Sequence, residues 1–265
     1  MGSLISHLVF TPLKKHPDQD PELEGDEILT TPHGSQIQIK SSIKDEKYFY
    51  LLVSHGNSED IYSIYDWATK ILVNYVNVNV IMYEYTGYGA NPNNYKCSEQ
   101  YCYNDIETVY NYMLEKLKIS PKRIILFGRA LGTGPSVYLA SKHSVAGLIL
   151  MSGFLSIYRV MMNFRWTLPG DIFSNIDRIQ KVDCPVCIIH SIKDEVIPFY
   201  HAKELYKNVK NKFEPLYIDN TSHYNIDKIS DDAYKHIHNF IKSLDPYNER
   251  IYIPDREESI GFNIK

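Results

Sequence analysis

"IILFGRALGTGPS", Ile124 to Ser136, is a buried apolar run that breaks at a glycine-rich corner and re-forms as a helix. Gly128-Arg129-Ala130-Leu131-Gly132 has the G-x-S-x-G shape of a nucleophile elbow, with alanine where serine would stand. The two glycines allow a sharp turn and close strand–helix packing, so position 130 is lifted clear of the sheet. The Leu131 N–H then points from the helix start toward a bound carbonyl oxygen. Upstream, "LLVSHGNSED" (Leu51 to Asp60) reads as another buried strand ending in a tight turn. The Asn57 N–H in that turn is the expected second donor of an oxyanion hole.

Working outward, dense apolar runs alternate with stretches of helical spacing. "KYFYLLVSH", "VNVIMYEY", "RIILFG", "AGLILMS", "VCIIHS" and "PLYID" predict strands, most of them of the continuous kind found inside parallel sheets. "IYSIYDWATKILVNY", "DIETVYNYMLEKLKI", "GTGPSVYLASKH", Phe199–Val209 and Asp231–Leu244 predict helices. "SQIQIK" alternates like an exposed strand. Repeated strand–helix units predict an α/β fold with a mostly parallel central sheet and helices on both faces.

With 44% hydrophobic and 23% charged residues, a chain of 265 residues has enough apolar material to bury a large core. A net charge of −4 with scattered lysines gives no basis for nucleic-acid binding. Cys184 and Cys187 have C-x-x-C spacing, but the pair opens a strand and lacks the helix N-terminus that would activate a thiol, so core or surface thiols are expected. No metal-ligand spacing and no cofactor motif is present, so neither is expected. No run reaches the roughly 20 apolar residues of a membrane span.

Hydrolysis of an ester or thioester needs a nucleophile, a base, a group that orients the base, and donors for the oxyanion. Asp194, just past the strand "VCIIHS", and His223, in the polar loop "DNTSHYN", follow position 130 in the order nucleophile, acid, histidine. Glu195 is the rival to Asp194. His55 and His190 are expected to support backbone. Gly153–Phe173 interrupts the strand–helix rhythm with Phe, Met and Trp, just after the strand "AGLILMS". That places it over the carboxyl ends of the strands, where ligands bind in such sheets. Phe154, Met161 and Trp166 are its candidate contacts to an apolar substrate.

"SHGNSED", "YTGYG", "ISPKRIILFGRALGTGPSVYLAS", "FSNIDRIQKVDCPVCIIHSIKDEVIPF" and "SHYN" together resemble the small membrane-anchored α/β-hydrolase-domain protein depalmitoylases, from about Leu51 to Leu244. The resemblance implies an α/β-hydrolase domain over residues 28–245. Residues 1–27 are then an N-terminal extension and candidate membrane anchor, and 246–265 a polar tail. It also implies a serine hydrolase of long-chain acyl thioesters or esters, with position 130 as nucleophile, Asp194 as acid and His223 as base.

The chain departs from that pattern in three places. Glu84 stands where the branch carries Asp, the N-terminal cysteine cluster is missing, and Ala130 replaces the serine. "MGSLIS" matches a myristoylation pattern at Gly2, which would hold the protein peripherally on the cytoplasmic face of a membrane. Loss of a triad nucleophile lowers turnover roughly a millionfold, leaving about a thousandfold over water. The chain is therefore expected to bind an acylated protein or lipid ester and hardly turn it over. Two readings stay open: a hydrolase whose serine has been replaced, or a non-catalytic relative that binds acylated proteins or lipids. A lysophospholipid or small-ester hydrolase is the further alternative.

Overall fold

The dense apolar runs become strands, all but the last of them covered on both faces, and alternate residues feed two separate cores. The computed structural model describes residues 9–13, 27–89, 95–162, 168–226 and 231–245. Among them the strands are β1 (Glu27–Thr30), β2 (Gln36–Ser42), β3 (Tyr50–Ser54), β4 (Asn79–Tyr83), β5 (Ile124–Arg129), β6 (Gly147–Met151), β7 (Val186–Ser191) and β8 (Leu216–Ile218). They form one sheet in the order β1-β2-β4-β3-β5-β6-β7-β8. The pairs β1–β2 and β2–β4 are antiparallel, and every other pair is parallel.

The helices are α1 (Ile61–Trp67), α2 (Glu99–Glu115), α3 (Thr133–Ala140), α4 (Ile157–Met162), α5 (Asn175–Ile179), α6 (Tyr200–Asn208) and α7 (Asp231–Leu244). Leu52, Leu126, Leu148 and Ile188 join the core on one face, with Ile106 and Val109 of α2, Val137 of α3 and Leu205 of α6. Their strand neighbours Leu51, Val53, Ile125, Phe127 and Ile189 point the other way, onto Ile61 of α1 and Ile237 and Phe240 of α7. This is the side-chain alternation of a strand buried on both sides.

Two elements differ from expectation. β2, which "SQIQIK" predicts to be exposed, lies inside the sheet, and Gln38 and Lys40 on it are buried. The aromatic side chains of α1 make this tolerable: the Lys40 ammonium sits 4.6 Å from the centroid of the Tyr65 ring. The helix after β3 is α-helical only to Trp67 and continues to Val76 in the wider π form, ending on left-handed Asn77. All four cysteines are free, and burial pushes the Cys184 thiol up to about 12 and raises that of Cys187.

The strand order places the site. The chain leaves β3 for β4 on one side, then returns to the other side as β5. The carboxyl ends of β3 and β5 therefore flank a crevice, the position where open α/β sheets bind ligands.

Candidate active site

β5 runs into a tight 3₁₀ turn, Ala130–Gly132, which feeds α3. Ala130 has φ +46°, a left-handed conformation that costs an alanine about 1–2 kcal/mol. The surroundings over-determine it. A Cβ on Gly128 would come within 2.7 Å of the Gly132 carbonyl, and one on Gly132 would overlap the Ser54 carbonyl of β3. The Thr133 hydroxyl donates back to the Ala130 carbonyl (2.7 Å) and fixes the turn from the far side.

His223 stands in the loop after β8, and its Nδ1 lies 2.9 Å from Asp194 Oδ2 and 3.1 Å from Oδ1. The Ile197 and Val196 N–H groups donate to Asp194 Oδ1 (2.7 and 3.0 Å). Burial opposes ionisation of Asp194, but the hydrogen bond and charge of His223 and the Ile197 N–H outweigh it and hold the carboxyl below its ordinary value. A carboxylate at Nδ1 leaves Nε2 as the base-competent nitrogen of His223. Glu195 instead accepts the backbone N–H of His223 (3.2 Å), so the imidazole belongs to Asp194. His190 lies behind the pair with its Nε2 2.9 Å from the Ile197 carbonyl, and burial lowers its pKa.

A cavity of about 550 Å³ opens over this corner. Ala130, Leu131, Asn57, His223, Phe154 and Met161 all line it, while Asp194 stays behind His223. Trp166 lies outside the described residues; among the described residues Trp67, at the end of α1, lines the cavity. Ser136 and Ser152 are both buried away from the cavity lining. The wall also takes Ile64, Val160, Val196, Ile197, Tyr224 and Val9. Val196 and Tyr224 are chain neighbours of Asp194 and His223. Val9 carried no signal at all.

Beneath the cavity, His55 and Glu84 are buried together, with His55 Nε2 2.9 Å from Glu84 Oε1. The other oxygen of Glu84 accepts the Ile61 N–H at the start of α1 (3.2 Å). One carboxylate thus ties the turn after β3 to the helix that follows it. His55 also meets the Gly56 carbonyl at 2.8 Å, so it supports side chain and backbone alike. Glu59 accepts the Gly56 N–H (2.6 Å) and pairs with Arg129, whose guanidinium reaches the His223 carbonyl at 3.5 Å. The three loops of the site are therefore cross-linked. Among the described residues no group of His, Cys, Asp and Glu is arranged to hold a metal ion, and no helix is long and apolar enough to cross a membrane.

Comparison with known proteins gives the family. The α/β hydrolase named L404 of Acanthamoeba polyphaga mimivirus is 37% identical over 198 residues, 74% of each chain. The chain belongs to the α/β-hydrolase family. Human α/β-hydrolase domain-containing proteins 17C and 17B are 37% and 36% identical over 180 residues, 68% of this chain and 54% and 62% of theirs. The chain thus spans little more than half the length of these human relatives. No protein-family model matches it. Among solved structures, the Pyrococcus furiosus esterase Pf2001 shares the fold with a TM-score of 0.72 at 15% identity, over 89% of this chain and 99% of its own. Mouse α/β-hydrolase domain-containing protein 10 does so at 0.59 and 17%, over 84% and 97%.

Proposed function

We propose that the protein is an acyl-thioester or acyl-ester hydrolase scaffold that holds its substrate beside a complete acid–base pair and lacks only the nucleophilic oxygen. The observation that carries this reading is the Asp194–His223 pair at 2.9 Å, sharing one site with a left-handed Ala130. Strain at a corner displayed to a cavity has a use when the residue there must reach a substrate.

With serine at 130, its oxygen attacks the acyl carbonyl while its proton passes to His223 Nε2, and Asp194 stabilises the resulting imidazolium. The Leu131 and Asn57 N–H groups receive the developing oxyanion. Collapse expels the thiol or alcohol, which takes the proton from His223. Water then enters by the same route and releases the fatty acid.

The apolar side of the cavity, with Phe154, Ile157, Val160 and Met161, suits a long acyl chain. The resemblance to the protein depalmitoylases favours an acylated protein over a free lipid, at the cytoplasmic face of a membrane, and the myristoylation pattern "MGSLIS" would hold the chain there through an acyl group on Gly2. As it stands, with Ala130, the chain binds such a group and turns it over at about a millionth of the serine rate. Ala130 itself favours one second reading, a non-catalytic binder of acylated proteins or lipids that uses the same cavity.

The test is the Ala130→Ser protein. It is expected to react with a fluorophosphonate probe and to cleave a palmitoylated peptide faster than a lysophospholipid, whereas the Ala130 chain takes no label. Folded Ala130→Ser protein that neither labels nor cleaves any acyl ester leaves the hydrolase reading without support. Acyl affinity that survives His223→Ala would then point to the binder.

A further inference from the structure

The segment 9–13 precedes the sheet and pairs with no strand, yet it lies across the site. Phe10 is buried edge-on against Phe173, with ring centroids 6.1 Å apart at 75°. Val9 is buried and lines the cavity beside Phe154 and Ile197. The Thr11 N–H donates to Asn57 Oδ1 (3.0 Å), the Tyr88 hydroxyl donates to the same oxygen (2.6 Å), and the Thr11 and Ser58 hydroxyls meet at 3.1 Å. Pro12 biases Thr11 toward extended backbone, which keeps its N–H out of helical bonding.

We infer that this strap is a working part of the acyl site: Val9 is a specificity-determining wall, and Thr11 is a positioning residue for the oxyanion turn. The inference rests on reading the cavity as an acyl site. Two donors on Asn57 Oδ1 occupy both lone pairs of that oxygen and fix the side chain. Glu59 holds the Gly56 N–H from the opposite side (2.6 Å). The turn carrying the Asn57 N–H is clamped between them. An oxyanion donor acts only if it is aimed before charge develops. The strap supplies aim without touching substrate at Thr11, and supplies surface at Val9.

The two roles separate experimentally in the Ala130→Ser background. Val9→Trp narrows the cavity and is expected to lower kcat/KM for p-nitrophenyl palmitate relative to the butyrate at least about tenfold, the scale of misfit in an apolar pocket. Thr11→Pro deletes the N–H while keeping extended backbone. It is expected to lower kcat about 5- to 20-fold for both esters at unchanged KM, consistent with losing a buttress and not a direct donor. Thr11→Ala, which keeps the N–H and gives up only the hydroxyl contact to Ser58, should lower kcat less than Thr11→Pro does.

Both variants folded, with the ester profile and kcat of the Ala130→Ser parent, overturn the inference. If that parent hydrolyses no ester, the Ala130 chain decides through its affinity for a fluorescent fatty acid. A tenfold weakening by Val9→Trp sustains the wall, and unchanged affinity overturns it. An Ala130 chain that binds no fatty acid and a parent that cleaves no ester sink the acyl reading itself, and the strap with it.

Discussion

Asp105 should set a pH dependence of stability that one substitution abolishes. It sits on α2 inside the core, where its carboxylate accepts the Thr86 N–H and the Thr86 hydroxyl, both at 2.7 Å. Burial outweighs these two bonds, the Glu84 charge adds to it, and the carboxyl is pushed up to about 7 from 3.8. A group whose folded value is raised gives its full contribution below the unfolded value, and that contribution is lost as pH rises through the folded one. The window is therefore about pH 4 to 7. Three pKa units at 1.36 kcal/mol each make the loss about 4 kcal/mol, an upper figure for a buried carboxyl.

Asparagine can keep the network. Its Oδ1 takes the Thr86 N–H, and its Nδ2 donates to the Thr86 hydroxyl, which then turns its single proton from residue 105 to Ser35 Oγ, 3.0 Å away. Asp105→Asn is thus expected to exceed the parent in stability by about 1–3 kcal/mol near pH 8 and to lose that advantage near pH 5. Urea denaturation across this range measures the difference, and the comparison cancels other titrating groups. An asparagine variant that is destabilised equally at both pH values would refute the reasoning, because it would mean that the carboxylate is an acceptor no amide can replace.

Other outcomes follow from the same geometry. In the Ala130→Ser background, Asp194→Asn presents an N–H to His223 Nδ1 and is expected to lower turnover about 10⁴-fold in a folded protein, read from ester hydrolysis beside circular dichroism. Because the folded value of Asp194 is depressed, its stabilisation is present above the ordinary carboxylate range and lost as pH falls through the lowered value, so acid unfolding of Asp194→Asn should begin from a smaller deficit. Gly132→Ala sets a methyl against the Ser54 backbone, where no flexible side chain can yield, and is expected to cost more than about 3 kcal/mol or to prevent folding; a soluble variant with the parent's Tm would contradict this. Glu84→Asp shortens the bridge between His55 and Ile61, breaks one of its two bonds, and should cost about 1.5–3 kcal/mol in urea denaturation.

The central part of the fold was legible because its signals are local. An apolar run bounded by a glycine corner marks β5 and its elbow without reference to the rest of the chain, and position after a strand narrows the partner of the loop histidine to Asp194 or Glu195. The choice of Asp194 over Glu195 was not local: it depends on which carboxylate meets the imidazole and which meets the backbone N–H of His223. The burial of β2 was missed because alternation of polar and apolar residues records chemistry, and Lys40 reaches a covered face through the rings of α1. The π-helical continuation after Trp67 has no counterpart in the spacing of apolar residues, which fits either winding. Val9 and Thr11 were invisible for a different reason: the cavity lining that Val9 joins and the Asn57 that Thr11 holds are distant in sequence, and nothing periodic links them.

The elbow at Ala130 owes its shape to the glycines on either side and to the Thr133 hydroxyl that pins it, so the contour persists with no oxygen at its tip. The delivery point is thus independent of what is delivered. On the hydrolase reading proposed above, a hydroxyl or a thiol grafted there would inherit an address already surveyed, and the change would demand no rebuilding of the surrounding chain.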